Sequence, residues 1–291
     1  MYSRLSKYLR PLLLAVLCSA VLIACNRIDL AYRNLDILVP WSLNDYLDMN
    51  REQKTWLKQR LTTHLSWHCR TQLPGYLEWL DRVKAMVASN QVSEAQLQAR
   101  TNEIKHAIDN VARQITPSAV ELLRALDDEQ VRAMRQAFTE DTREKQEIYA
   151  NTPFDKQIAQ RTRRMEKRLT PWLGELSAQQ QLRITQWAHS LGAQGNVWIT
   201  NRAEWQSQFS ATVEQRQSAD FPERLERLLI DRERLWTPAY RQAYQQNEAA
   251  TRSLLVDLMA QSSPYQRQHL EKKLAQVHQD FSQLKCLKAG V

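Results

Sequence analysis

Leu126-Asp127-Asp128-Glu129-Gln130-Val131 reads as the opening of an α-helix. Asp127 is placed to cap the first turn, and Gln130, three residues on, can reach back to the cap N–H. Leu126 and Val131 sit where an apolar staple belongs, while Asp128 and Glu129 complement the helix macrodipole. That explanation also suffices for what looks like a cation site. The same spacing recurs as Asn50…Gln53, Ser177…Gln180 and Ser263…Gln266, the last with Pro264 at the first helical position. Threonine followed by proline at 116–117, 152–153, 170–171 and 237–238 offers a second set of helix starts.

Between these starts, apolar residues recur at intervals of three and four. Trp56, Leu57, Leu61, His64, Leu65 and His68 trace one face, and Leu225, Leu228, Leu229 and Leu235 another. The pattern predicts helices near 41–49, 51–70, 73–89, 93–115, 117–126, 128–150, 153–169, 178–217, 221–260 and 264–287. Gly192 and Gly195 should break the 178–217 segment, and Pro238 should divide the next. Five glycines in 291 residues cannot serve the turns of a β-sandwich or a phosphate-binding loop. The fold class is therefore all-α, an irregular antiparallel array without a β-sheet. The four glutamines lie 77, 50 and 86 residues apart, a spacing that gives no repeat period.

The first residues give an address. Arg4, Lys7 and Arg10 precede an apolar run from Pro11 to Leu22 that is too short to span a bilayer. It ends in Leu22-Ile23-Ala24-Cys25, which resembles the bacterial lipobox. The resemblance implies a cleaved signal over 1–24 and acylation of Cys25, with a lipidated tether over 25–40; without a repeat or a dividing linker, 41–291 reads as one helical domain. Asn26, in place of the aspartate that retains lipoproteins at the inner membrane, implies the periplasmic face of the outer membrane. Losing Arg4, Lys7 and Arg10 takes the net charge from +8 to +5. A basic tethered chain can face anionic headgroups or peptidoglycan carboxylates, and nucleic acid lies in the wrong compartment. Cys69 and Cys286 remain. In an oxidising compartment they either pair, closing a loop of 217 residues, or stay as separate thiols.

Two wider resemblances follow. Ala31-Tyr32-Arg33-Asn34-Leu35-Asp36, Trp41…Asp45-Tyr46-Leu47-Asp48, Glu52-Gln53-Lys54 and Trp67-His68 resemble the opening of a family of uncharacterised Gram-negative envelope lipoproteins, known as a domain of unknown function. It implies a lipoprotein and transfers no catalytic residue. The helix starts at Leu126…Gln130 and Leu176…Gln180 are similar to the Leu-Thr-x-x-Gln motif of periplasmic stress chaperones, with another capping residue in place of threonine.

Three constellations stand out chemically. His64 and His68 share a helix face beside Cys69, but a zinc site wants a third ligand and the position between them that HExxH would fill with glutamate is Leu65. Trp41, Asp45, Tyr46 and Asp48 form an acidic aromatic cluster. It suits a partner surface or, less naturally, the two carboxylates of a glycan hydrolase. Arg161, Arg163, Arg164, Lys167 and Arg168 form the densest basic run, either a solvated face or a contact for envelope phosphate and carboxylate. The nine tryptophans read mainly as core. No nucleophile elbow, P-loop or dinucleotide fingerprint is present. The expectation is a binding, structural or adaptor protein without cofactor or metal. A chaperone-like, stress-sensing role is the alternative.

Overall fold

The computed structural model describes residues 34–284 together with Tyr32 and Cys286. Residues 1–24, Cys25 and Asn26 lie outside the described residues. Within that span the chain is helical, with no strand among the described residues. In order come α1 (Leu35–Leu47), α2 (Arg51–Thr71), α3 (Leu73–Ala88), α4 (Glu94–Arg124), α5 (Asp128–Lys145), α6 (Phe154–Leu173), α7 (Ala178–Ser190), α8 (Gly195–Glu214), α9 (Phe221–Ile230), α10 (Pro238–Ala260) and α11 (Pro264–Ser282). A π-turn at Gln146–Ala150 follows α5, and a 3₁₀ turn at Arg232–Leu235 precedes α10. None of these helices is long and apolar enough to cross a membrane.

All four glutamine capping boxes form, and each glutamine then does something its spacing does not foretell. Gln53 and Gln130 face each other, each carboxamide donating to the other's Oε1 at 3.0 and 2.8 Å. Their second N–H groups reach across to backbone, Gln53 to the Ala125 carbonyl at 2.8 Å and Gln130 to that of Asp48 at 2.9 Å. Each Oε1 also accepts its own cap N–H. Gln180 and Gln266 repeat the device, donating to each other at 3.2 and 2.9 Å and to the carbonyls of Leu258 and Glu175. All four side chains are buried and fully satisfied. The irregular spacing thus conceals two pairs: one staple joins the starts of α2 and α5, the other those of α7 and α11. A fifth box, Ser93 with Gln96, opens α4 at the surface.

Of the four threonine-proline starts, helices do open after Thr152-Pro153 and at Pro238, whereas Thr116-Pro117 and Thr170-Pro171 need correction. Only Thr237 caps a helix, accepting from the Tyr240 N–H at 3.2 Å. Thr116, Thr152 and Thr170 turn their hydroxyls back to the carbonyls four residues earlier, at 2.7 to 2.8 Å. A threonine hydroxyl serves either purpose, and the carbonyl four residues back is the local competitor. Consequently α4 runs unbroken through Pro117, where two helices are expected, and Pro171 lies inside α6. The first helix also starts earlier than expected, at Leu35 inside the anticipated tether. It stops at Asp48, whose φ of 41° is left-handed.

Gly192, at φ 61°, ends the turn after α7, and a Cβ at Gly195 would collide with the Tyr149 carbonyl as the π-turn crosses the start of α8. The main core joins α1, α2, α4, α5, α8 and α9 around Leu47, Leu57, Leu123, Met134, Val213 and Phe221. A second joins α6, α7 and α10 around Ile158, Ile184, Trp187 and Leu254. Packing of α3 against α11 connects the chain's two ends through Leu80, Val87 and Leu274. Beside it Cys69 and Cys286 are bonded as a disulfide, with Cα atoms 6.1 Å apart.

Candidate ligand-binding cavity

The main core does not close on itself. A cavity of about 420 Å³ is lined by Leu43 and Tyr46 of α1, Leu61 of α2, Leu122 of α4, Phe138 of α5 and Phe209 of α8, among others. A packed interior holds few voids larger than a water molecule, whereas ligand sites run from about 300 to 1,000 Å³. Several of its walls are only half-buried, and Ile115 at the rim is 40% exposed, so the cavity reaches solvent.

Arg60, His64, Ser118, Arg202 and Gln206 are the polar side chains bordering this apolar space. Arg60 donates to Glu121 at 2.9 Å and lies over the Trp56 ring. Arg202 is held by Asp141 at 2.8 Å. Burial alone would raise the Asp141 carboxyl, but the hydrogen bonds and charges of Arg202, Gln206 and Lys145 outweigh it and hold it below the usual carboxylate range. His64 bonds the Ser118 hydroxyl through Nε2 at 2.9 Å, while its Nδ1 is buried without a partner. Burial and then the nearby Arg60 charge push the His64 imidazole below its ordinary value. That favours the neutral imidazole, whose Nδ1 is enclosed by the protein rather than open to the cavity.

His68 is separately engaged. Tyr32 donates to the Leu65 carbonyl at 2.9 Å, which leaves its oxygen to accept from His68 Nδ1 at 3.2 Å, and Tyr76 meets Nε2 at 3.1 Å. Burial, then Tyr76, drives the Tyr32 phenol up to about 12. His64 thus stands at the cavity, whereas His68 shares Tyr32 and Tyr76 with the cluster around the Cys69 disulfide. No group of three or more His, Cys, Asp or Glu side chains is placed to hold a metal among the described residues.

The other sequence candidates scatter. Asp45 and Asp48 are exposed, Asp48 as the cap residue that ends α1. Tyr46 turns inward against Phe138, whereas Trp41 is 69% exposed on the opposite side of α1. These four residues lie along α1 and its C-cap without forming a cleft. The basic run divides too. Arg161 is half-buried and donates to the Ala188 and Gly192 carbonyls at 2.7 and 3.2 Å, closing the C-terminus of α7. Arg163, Arg164, Lys167 and Arg168 remain exposed. The cavity walls escape sequence reading because Leu61, Phe138 and Phe209 carry the same periodic signal as any core residue; His64 and Tyr46 are the members that their patterns singled out.

A family model described as a family of unknown function, DUF6279, matches residues 45–241. No curated protein and no solved structure matches the chain.

Proposed function

The chain belongs to the family of unknown function DUF6279, and from that premise we propose that it is a lipid-anchored binding protein of the Gram-negative envelope. On this reading it takes an apolar chain into the cavity between α1, α2, α4, α5, α8 and α9. The observation that carries the reading is the cavity itself, an apolar space of about 420 Å³. The Leu22-Ile23-Ala24-Cys25 lipobox supplies the address. Acylation of Cys25 holds the protein at the membrane, and Asn26 assigns it to the periplasmic face of the outer membrane. The anchor confines the cavity to a thin layer, where effective concentration replaces intrinsic affinity. Each buried methylene contributes about 0.8 kcal/mol. Eight of them amount to about 6 kcal/mol before ordering costs, so affinity falls in the millimolar to micromolar range. An envelope protein or peptidoglycan remains a further partner for the exposed basic residues of α6. The reading assigns no catalytic residue, cofactor or metal.

The test is titration of the purified protein with dodecanoate and palmitate beside an Ala119→Phe variant, whose ring fills the cavity. Saturable binding that Ala119→Phe weakens at least tenfold is expected. Equal binding by both proteins overturns the cavity reading. Metabolic labelling with an alkyne fatty acid, lost in Cys25→Ser, tests the anchor separately.

The cavity also favours a second reading, since a chaperone needs an apolar concavity for the side chains of unfolded clients. Suppression of client aggregation by the wild type, lost in Ala119→Phe without any fatty-acid binding, would select it.

A further inference from the structure

We infer that the outer face of α1 lies on the lipid bilayer beside the acyl anchor, as a second membrane contact; this rests on the lipid-anchor reading of Cys25. The helix is apolar on two sides. Leu43, Tyr46 and Leu47 face inward and line the cavity. Ile37, Leu38 and Trp41 fall within about 100° of one another on the other side, at 58%, 48% and 69% exposure. Aliphatic residues beside a tryptophan are what an interfacial helix presents to headgroups and upper acyl chains.

The length of chain outside the described residues selects the bilayer as the occupant. Tyr32 is pinned to α2 through the Leu65 carbonyl and His68. Cys25 precedes it by seven residues, which reach about 25 Å when fully extended. Ile37 follows Tyr32 by only five. An acylated Cys25 therefore leaves this face no room to stand far from the membrane, and full exposure of its three side chains to water forfeits apolar burial at about 25 cal/mol per Å². The lipobox implies two or three acyl chains on Cys25, enough for stable retention, and this second contact adds apolar burial to it. It also orients the molecule, with the disulfide end and the α1 roof of the cavity toward the lipid.

The experiment reconstitutes the full lipidated chain into phosphatidylethanolamine–phosphatidylglycerol vesicles carrying brominated acyl chains, which quench tryptophan on contact. Intact-mass measurement of the N-terminal peptide reports the acyl group on Cys25. The wild type should be quenched, and Trp41→Phe should lose most of that quenching although eight tryptophans remain. Ile37→Glu should reduce it several-fold while leaving the circular dichroism unchanged. An acylated protein whose quenching is the same in wild type and Trp41→Phe overturns the inference alone. So does a Trp41 shielded from both bromolipid and aqueous acrylamide, the signature of a second copy or protein partner on this face. A Cys25 without acyl mass overturns the anchor reading and this inference with it.

Discussion

Truncating Gln130 to alanine removes five hydrogen bonds at one buried point. One of its Nε2 protons goes to Gln53 Oε1 and the other is shared by the carbonyls of Asp48 and Leu47, while its Oε1 accepts from Gln53 and from the Asp127 N–H. Gln130 is only 7% exposed, so the abandoned groups meet little water. A buried orphan costs about 1–3 kcal/mol. The Asp127 N–H, one Gln53 proton and the Asp48 carbonyl all lose partners, and partial rehydration offsets some of the loss. We expect a cost of about 3–5 kcal/mol, a large share of the ~5–15 kcal/mol that holds a domain folded. The control is Gln96→Ala, which breaks an equivalent capping box at an exposed helix start and should cost about 0.5–1 kcal/mol. Urea unfolding followed by circular dichroism measures both. A double-mutant cycle of Gln53→Ala with Gln130→Ala should show coupling of about 1–2 kcal/mol, whereas Gln130→Ala with Gln180→Ala should add independently. If Gln130→Ala costs no more than Gln96→Ala, the glutamine pair is an ordinary pair of caps and the staple argument fails.

Arg161→Ala should destabilise by about 1.5–3 kcal/mol, because charged hydrogen bonds to the end of α7 disappear; Arg164→Ala, at an exposed position, should stay within about 0.5 kcal/mol. Equal effects in thermal melts would return Arg161 to the surface patch. Cys69→Ser opens a loop of 217 residues and should cost about 2–4 kcal/mol, and reduction of the wild type should reproduce the loss in the same melt. Burial lowers the folded-state values of His64 and His68, so below about pH 6.5 the unfolded chain binds more protons than the folded one. Stability should therefore fall as pH drops through that value, and His68→Gln should flatten the slope of unfolding free energy between pH 7 and pH 5. A steeper slope in the variant would reverse the sign argued here.

Helix starts are legible in this chain where the signal is complete within four residues. Asn50…Gln53 and Ser263…Gln266 succeed because cap and glutamine satisfy each other locally. Thr116-Pro117 misleads because a threonine hydroxyl can either accept from an N–H three residues on or donate to the carbonyl four residues back, and the sequence does not rank the two. What the glutamines do next depends on a partner 77 or 86 residues away, and no local pattern carries that. Arg161 shows the same limit. It shares charge and spacing with its neighbours, and only the position of α7 turns it inward. The cavity is harder still, since it consists of space that six correctly patterned helices leave unfilled.

The Cys69–Cys286 disulfide encloses every helix from α3 to α11. A protease that cuts any loop in that stretch produces two fragments that remain one covalent molecule. The first carries α1 and α2, with the anchor on the lipoprotein reading; the second carries the C-terminal helices and cannot diffuse away. A nicked chain should therefore migrate as two bands only after reduction. On that lipoprotein reading, damage at a single loop in a protease-exposed envelope would leave the whole assembly in place at the membrane.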